Sequence, residues 1–204
     1  MGERAHPEDP AFQDHWTWRQ RGSLIPWPCV ERSPWRRGLV ERYRFCQRFI
    51  RNKRALDIPC GVGWGTSMLC GASRLVGVDR SEEAIDYARQ YYSRQAEFRV
   101  GGMEQLDFDA GSFDLVMCLE GIEHVPVEVA VRFVAEASRV LVRGGRIIVT
   151  SPVPNANRAP NPYHCHEYRR DELLELMDAA FTPEEVESRE IATVEIVYYV
   201  GQRK

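Results

Sequence analysis

Glycines at positions 61, 63 and 65 follow the short apolar run 55–58 and Pro59. Glycine has no Cβ, so it accepts positive φ and lets a ligand lie directly on the main chain. A strand, a glycine-rich turn and a helix N-terminus together form the place where an open α/β sheet receives a nucleotide-like ligand. A second apolar run, 74–79, ends on Asp79, 18 residues after Gly61. That is near the spacing at which a carboxylate meets a ribose diol. Two further clusters carry proton-transferring groups. One is Leu119-Glu120-Gly121-Ile122-Glu123-His124; the other is Asn161-Pro162-Tyr163-His164-Cys165-His166-Glu167-Tyr168. A histidine titrating near neutrality suits removal of a hydroxyl proton. His124, His166 and Glu167 are therefore the candidate catalytic groups, although His124 also reads as a structural histidine joining neighbouring loops. His164, Cys165 and His166 are all metal-ligand types, and alternate residues of an extended segment share a side. No third ligand with suitable spacing accompanies them, so no metal is expected.

These residues need elements to hold them. Runs 55–58, 74–79, 97–100, 113–119 and 146–150 read as strands, and Gly144-Gly145 reads as a stop before the last of these. Between them, 66–71 reads as a first crossover helix. Ser81 can cap the next helix, with Glu82 and Glu83 in its first turn and Ala84, Ile85, Ala88 and Tyr91 facing the core. A helix over 127–141 turns Ala130, Phe133, Val134, Ala137 and Leu141 inward, and another spans 170–180. The runs 182–190 and 192–200 suggest an antiparallel hairpin. Alternating strands and helices imply right-handed crossovers and a parallel sheet. The expected fold is α/β: a Rossmann-like doubly wound sheet, mostly parallel, with helices on both faces. Its ligand should lie outside the carboxyl ends of the strands. The 152–168 connection is long enough to be a functional loop.

The 204 residues suit one domain with a sizeable core. A formal charge of −3 lacks the basic excess of a general nucleic-acid binder. The six cysteines form no CxxC pair and read as mostly buried free thiols of a reducing cytoplasm. No apolar run is long enough for a signal peptide core or a membrane span. Residues 1–35 are proline-rich, yet hold Trp16, Trp18, Trp27 and Trp35, so they are expected to pack on the domain, as a cover or as a lid. Along 34–50, Leu39, Val40, Tyr43, Cys46 and Ile50 fall at helical spacing, while Arg36, Arg37, Arg42, Arg44, Arg48 and Arg51 read as the other face. That charged run is either solvated or attractive to an anionic substrate or a membrane surface.

Position 66 is Thr, where a dinucleotide fingerprint needs Gly, and no Lys-Ser or Lys-Thr pair follows the loop to make a P-loop. Asp57, Gly61, Gly63, Gly65 and Asp79 instead resemble the motifs of class I S-adenosylmethionine-dependent methyltransferases. The resemblance covers roughly residues 36–204 and implies seven strands, the last two forming the hairpin. It implies S-adenosylmethionine as cofactor and S-adenosylhomocysteine as product. Asp57 would help hold the cofactor's amine, Pro59, Cys60, Gly61 and Gly63 its methionine part, and Asp79 both ribose hydroxyls. Arg80 would lie against the adenine. Where the family commonly has an acid for the adenine amino group, this chain has Gly102, so Gly102, Met103 or Glu104 would serve. Leu119 and Glu120 would line the cofactor pocket. Glu120-x-x-Glu123-His124-Val125 resembles a segment of methyltransferases acting on quinones and sugars. The 161–168 loop resembles one in bacterial methyltransferases that accompany surface-glycan synthesis. Asn161-Pro162-Tyr163 also resembles a DNA amino-methyltransferase sequence, but it follows the fifth strand rather than the fourth, so no nucleic acid is expected. The expected reaction is methyl transfer to a hydroxyl or amine of a small-molecule or sugar/glycan acceptor, with a quinone-like metabolite as the alternative. A binding protein without catalysis and a nicotinamide-dependent oxidoreductase are the competing classes. The expected state is a monomer or homodimer, with peripheral membrane contact open.

Overall fold

The computed structural model describes residues 34–204, apart from 160 and 192. The cover or lid expected of the tryptophan-rich segment lies outside the described residues, except that Pro34 and Trp35 open the first helix. In chain order the elements are α1 (Pro34–Gln47), β1 (Arg54–Asp57), β2 (Arg74–Asp79), α2 (Glu82–Tyr92), β3 (Glu97–Val100), β4 (Phe113–Leu119), α3 (Val127–Val140), β5 (Leu141–Pro152), α4 (Arg170–Asp178), β6 (Phe181–Ile191) and β7 (Val194–Arg203). Single 3₁₀ turns cover Thr66–Met68 and Ile122–His124.

The seven strands form one sheet in the order β3-β2-β1-β4-β5-β7-β6. Strands β1 to β5 pair in parallel, and β7 runs antiparallel between β5 and β6. The strand order reverses between β1 and β4, and such a reversal opens a crevice at the carboxyl ends. Both faces are covered, which explains why the strands read as unbroken apolar runs. In β4, Leu115 and Met117 join the core that α1 and α2 cover. Val116 and Cys118 join the core under α3 and α4. Among the described residues, no helix is long and apolar enough to cross a membrane.

Several local expectations need correction. The expected crossover helix at 66–71 is one 3₁₀ turn, because Thr66 is drawn inward to bond Asp57. Ser81 does cap α2, accepting the Ala84 N–H, but the buried ring at its end is Tyr92, with Tyr91 37% exposed. Positions 84, 85, 88 and 92 are the ones that repeat at helical period. Strand β5 begins at Leu141 rather than 146, and Gly144-Gly145 falls in a register shift against β4 instead of ending an element. Cys46, Cys60 and Cys118 are buried thiols, whereas Cys70 and Cys165 are exposed.

Candidate active site

A cavity of about 530 Å³ opens at the carboxyl ends of β1, β2 and β4. Of the residues expected at the cofactor, Pro59, Cys60, Gly61, Asp79, Arg80, Gly102, Met103, Glu104, Leu119 and Glu120 line it. Asp57 and Gly63, also expected there, do not line it. A larger groove of about 860 Å³ runs elsewhere, past Arg74, Arg99 and Arg139. Three of its four arginines are already matched, Arg74 and Arg99 by Glu97 and Arg139 by Glu136. Of the candidate residues only Glu104 reaches it, so the smaller, less polar cavity is the site.

The loop after β1 is held by the acid after β2. The Gly61 N–H donates to Asp79 Oδ2 at 2.9 Å, and the Ser81 N–H donates to Asp79 Oδ1 at 2.9 Å. Asp79 therefore starts α2's turn and pins the glycine loop, while still lining the cavity. Gly61 has φ +55°, and a Cβ there would meet no atom within 4 Å. Its backbone is a bare ledge on which a ligand can lie.

Asp57 is completely buried. Its Oδ2 accepts from Thr66 Oγ1 at 2.5 Å and Tyr43 OH at 3.1 Å, and its Oδ1 has no hydrogen-bond partner among the described residues. Burial pushes its carboxyl up to about 7, against the downward pull of those two hydroxyls. Burial likewise pushes the Tyr43 phenol up.

Arg42 was expected on the charged face opposite the apolar stripe, solvated or attractive to an anion or a membrane surface, but it is 5% exposed and lines the cavity. Its Nη2 pairs with Glu120 Oε2 at 2.9 Å. Glu120 leaves β4 at φ +51°, an uncommon region for a residue with a side chain. Its N–H is fixed by the Thr150 carbonyl at 3.0 Å and lies 3.2 Å from Thr150 Oγ1. Glu120 Oε1 and Arg42 Nε have no hydrogen-bond partner among the described residues.

The two clusters singled out in the sequence form one site. The Cys165 and His166 N–H groups donate to the Glu123 carbonyl at 2.8 and 3.2 Å, sewing the 161–166 loop to the turn after β4. His124 Nδ1 lies 3.0 Å from the Tyr163 carbonyl oxygen. The His124 and His164 rings meet edge to face with centroids 4.8 Å apart. Glu123 is 1% exposed, and burial followed by the nearby Glu120 charge pushes its carboxyl well above the usual range. Glu123, His124 and His164 all line the cavity. The other two catalytic candidates do not. His166 turns toward α4, with Nε2 2.9 Å from Glu172 Oε1 and its ring against Tyr168. Glu167 accepts from Arg158 at 2.5 Å and lies 2.6 Å from His164 Nδ1, so it acts on the cavity through His164. The set His164, Cys165 and His166 does not converge. Tyr43, Trp64 and Arg42 of this site had no part in the sequence reading of the cavity. Tyr43 was read on the apolar stripe, and Arg42 sits beside it, three residues after Leu39 and four before Cys46.

Comparisons with known proteins agree with this geometry. The family description "Methyltransferase domain" matches residues 56–149. A probable S-adenosylmethionine-dependent methyltransferase of Mycolicibacterium smegmatis is 31% identical over 162 residues, covering 76% of this chain and 62% of the relative. A ubiquinone biosynthesis O-methyltransferase of Idiomarina loihiensis is 28% identical over 191 residues, covering 83% of this chain and 75% of the relative. A crystal structure of a Pyrococcus horikoshii protein superposes with a TM-score of 0.67 at 24% identity, over 82% of this chain and 91% of that one, and shows the shared fold. The chain spans about three fifths of the length of the mycobacterial relatives it matches. With the glycine ledge, the acid after β2 and the seven-stranded order in place, these likenesses support a class I S-adenosylmethionine-dependent methyltransferase domain.

Proposed function

We propose that the chain transfers the methyl group of S-adenosylmethionine to a hydroxyl, or an amine, of a small-molecule or sugar/glycan acceptor. One observation carries the reading: the Glu123, His124 and His164 cluster shares a cavity with the Gly61 ledge and Asp79. The residues present fit the cofactor. Gly61 gives a ledge that a Cβ would fill, Asp79 gives a carboxylate for a diol, and the unpartnered Asp57 Oδ1 gives buried acceptor capacity behind the ledge. When bound, S-adenosylmethionine supplies an electrophilic methyl on a positively charged sulfur.

The chain's own residues then have four tasks. The 61–63 backbone and Asp57 hold the amino-acid end, and Asp79 holds the ribose. Arg80, Gly102, Met103 and Glu104 border the place for the base, and Leu119 and Glu120 close the pocket. The 161–164 segment and the turn after β4 exclude water on the acceptor side. His124, whose Nδ1 is held by the Tyr163 carbonyl, keeps Nε2 as an acceptor for the hydroxyl proton. His166 is directed away from this position and Glu167 orients His164, so both support the loop. A quinone-like acceptor is the second reading. It is favoured by the likeness to the ubiquinone biosynthesis O-methyltransferase and by apolar wall residues Leu119, Ile191 and Ile196.

The test is turnover against a panel of sugar and phenolic acceptors, with cofactor affinity measured separately. His124→Ala should lose at least about a hundredfold in turnover, the usual scale for general-base loss, with cofactor affinity unchanged. Full turnover in that variant rejects the role given to His124. Failure of the wild-type chain to bind the cofactor rejects the function.

A further inference from the structure

His164 and His124 are held in the same way. Nδ1 of His164 lies 2.6 Å from Glu167 Oε1, and Nδ1 of His124 lies 3.0 Å from the Tyr163 carbonyl oxygen. A carboxylate and a carbonyl only accept, so each Nδ1 carries the hydrogen and each Nε2 keeps a lone pair. This is the arrangement of metal-ligating histidines, whose second nitrogen donates to a carboxylate or a backbone carbonyl. The third member is a buried carboxylate. Glu123 is 1% exposed and its Oε1 has no hydrogen-bond partner among the described residues. One ligand atom from each of Glu123, His124 and His164 lies within 4.8 Å of the others. A buried carboxyl group beside two imidazoles is costly unless a cation or a donor meets it. The Asn161 amide meets part of this need, with Nδ2 3.0 Å from His164 Nε2, while its Oδ1 accepts the Tyr163 N–H. A cation would take the position of that amide hydrogen. Glu120, with Oε1 also unpartnered, is three residues away on the same turn.

We propose that Glu123, His124 and His164 bind one divalent cation at the acceptor end of the cavity. Two imidazoles and one carboxylate favour Mn²⁺, Fe²⁺, Co²⁺, Ni²⁺ or Zn²⁺ over Ca²⁺ or Mg²⁺, which prefer all-oxygen shells. Three protein ligands leave coordination positions open, and all three line the cavity. This deepens the methyltransferase reading and rests on it for the acceptor. The open positions suit an acceptor with two adjacent oxygens, such as a vicinal diol. The bound cation lowers the pKa of the reacting hydroxyl, whose proton then leaves to solvent. On this assignment the His124 lone pair serves the cation, and the cation replaces His124 as the means of activating the hydroxyl.

The test uses the untagged full chain, stripped with EDTA and titrated with Co²⁺, read by absorption. The expected result is one ion per chain, with d–d bands and no thiolate-to-cobalt charge transfer. Glu123→Gln and His164→Ala should weaken binding at least about tenfold. Glu167→Gln, which leaves all three ligands, should weaken it about 10- to 100-fold, the cost of losing an outer partner. His166→Ala should bind as wild type does. Thermal unfolding of each variant shows whether it is folded, and the wild-type titration needs no variant. No stoichiometric ion, a charge-transfer band from Cys165, or unchanged binding in both ligand variants overturns the proposal. Cofactor calorimetry on the stripped chain separates the two readings. Cofactor bound without cobalt rejects the cation site alone, and cobalt bound without cofactor rejects the methyltransferase assignment alone.

Discussion

Replacing Asp57 by Asn should make the protein more stable and a poorer binder of its cofactor. The carboxyl is fully buried, and burial raises it from 3.8 to about 7. The folded state therefore binds this proton more tightly than the unfolded chain. The penalty is absent below pH 4, grows as pH rises toward 7, and is constant above. A shift of about 3 units at about 1.4 kcal/mol each makes it about 4 kcal/mol at pH 8. The amide in Asp57→Asn would lack the charge but keep an oxygen for Thr66 and Tyr43. A gain of about 2 to 4 kcal/mol is expected at pH 8 and almost none at pH 4, measured by urea unfolding. Binding shows the other side. An ammonium held near Asp57 lowers its pKa, so the cofactor binds with loss of a proton. Apparent affinity should then rise about five- to sixfold between pH 6 and 7, a window below the titration of an α-amino group. In Asp57→Asn the affinity should be weaker and flat over that window. No stability gain at pH 8, or the same pH dependence in both proteins, refutes the reasoning.

Other outcomes follow from the same geometry. Arg42→Ala leaves Glu120 facing a buried gap and should cost about 3 kcal/mol in urea unfolding, whereas Arg42→Leu combined with Glu120→Leu should recover most of it. Gly61→Ala places a methyl on the ledge at φ +55°; it should cost about 1 kcal/mol in stability and about tenfold or more in cofactor affinity by calorimetry. His166→Ala should keep near wild-type turnover, because the ring pairs with Glu172 outside the cavity; a loss as large as that of His124→Ala would contradict that placement.

The sheet and the cofactor ledge were legible because their signals are local. Gly61 and Asp79 are joined by one crossover, and the apolar runs of β1, β2 and β4 carry their burial in plain view. The boundaries that misled were those where tertiary contacts overrode local pattern. Thr66 left its helix to bond Asp57, and Gly144-Gly145 became a register shift within β5. The acceptor side was harder to read. Arg42 meets Glu120 across 78 positions, and Glu123 meets the His164 loop across 41. No periodicity reports such partners. The sequence showed His164 and His166 as alternate neighbours, but the loop's bonds to the Glu123 carbonyl turn them apart.

The most direct measurement is titration calorimetry of the purified chain with S-adenosylhomocysteine, beside Asp79→Ala and its melting curve. The account predicts one site per chain and at least about tenfold weaker binding in a still-folded Asp79→Ala. No measurable heat with the wild-type chain, or equal affinity in the two proteins, would contradict it.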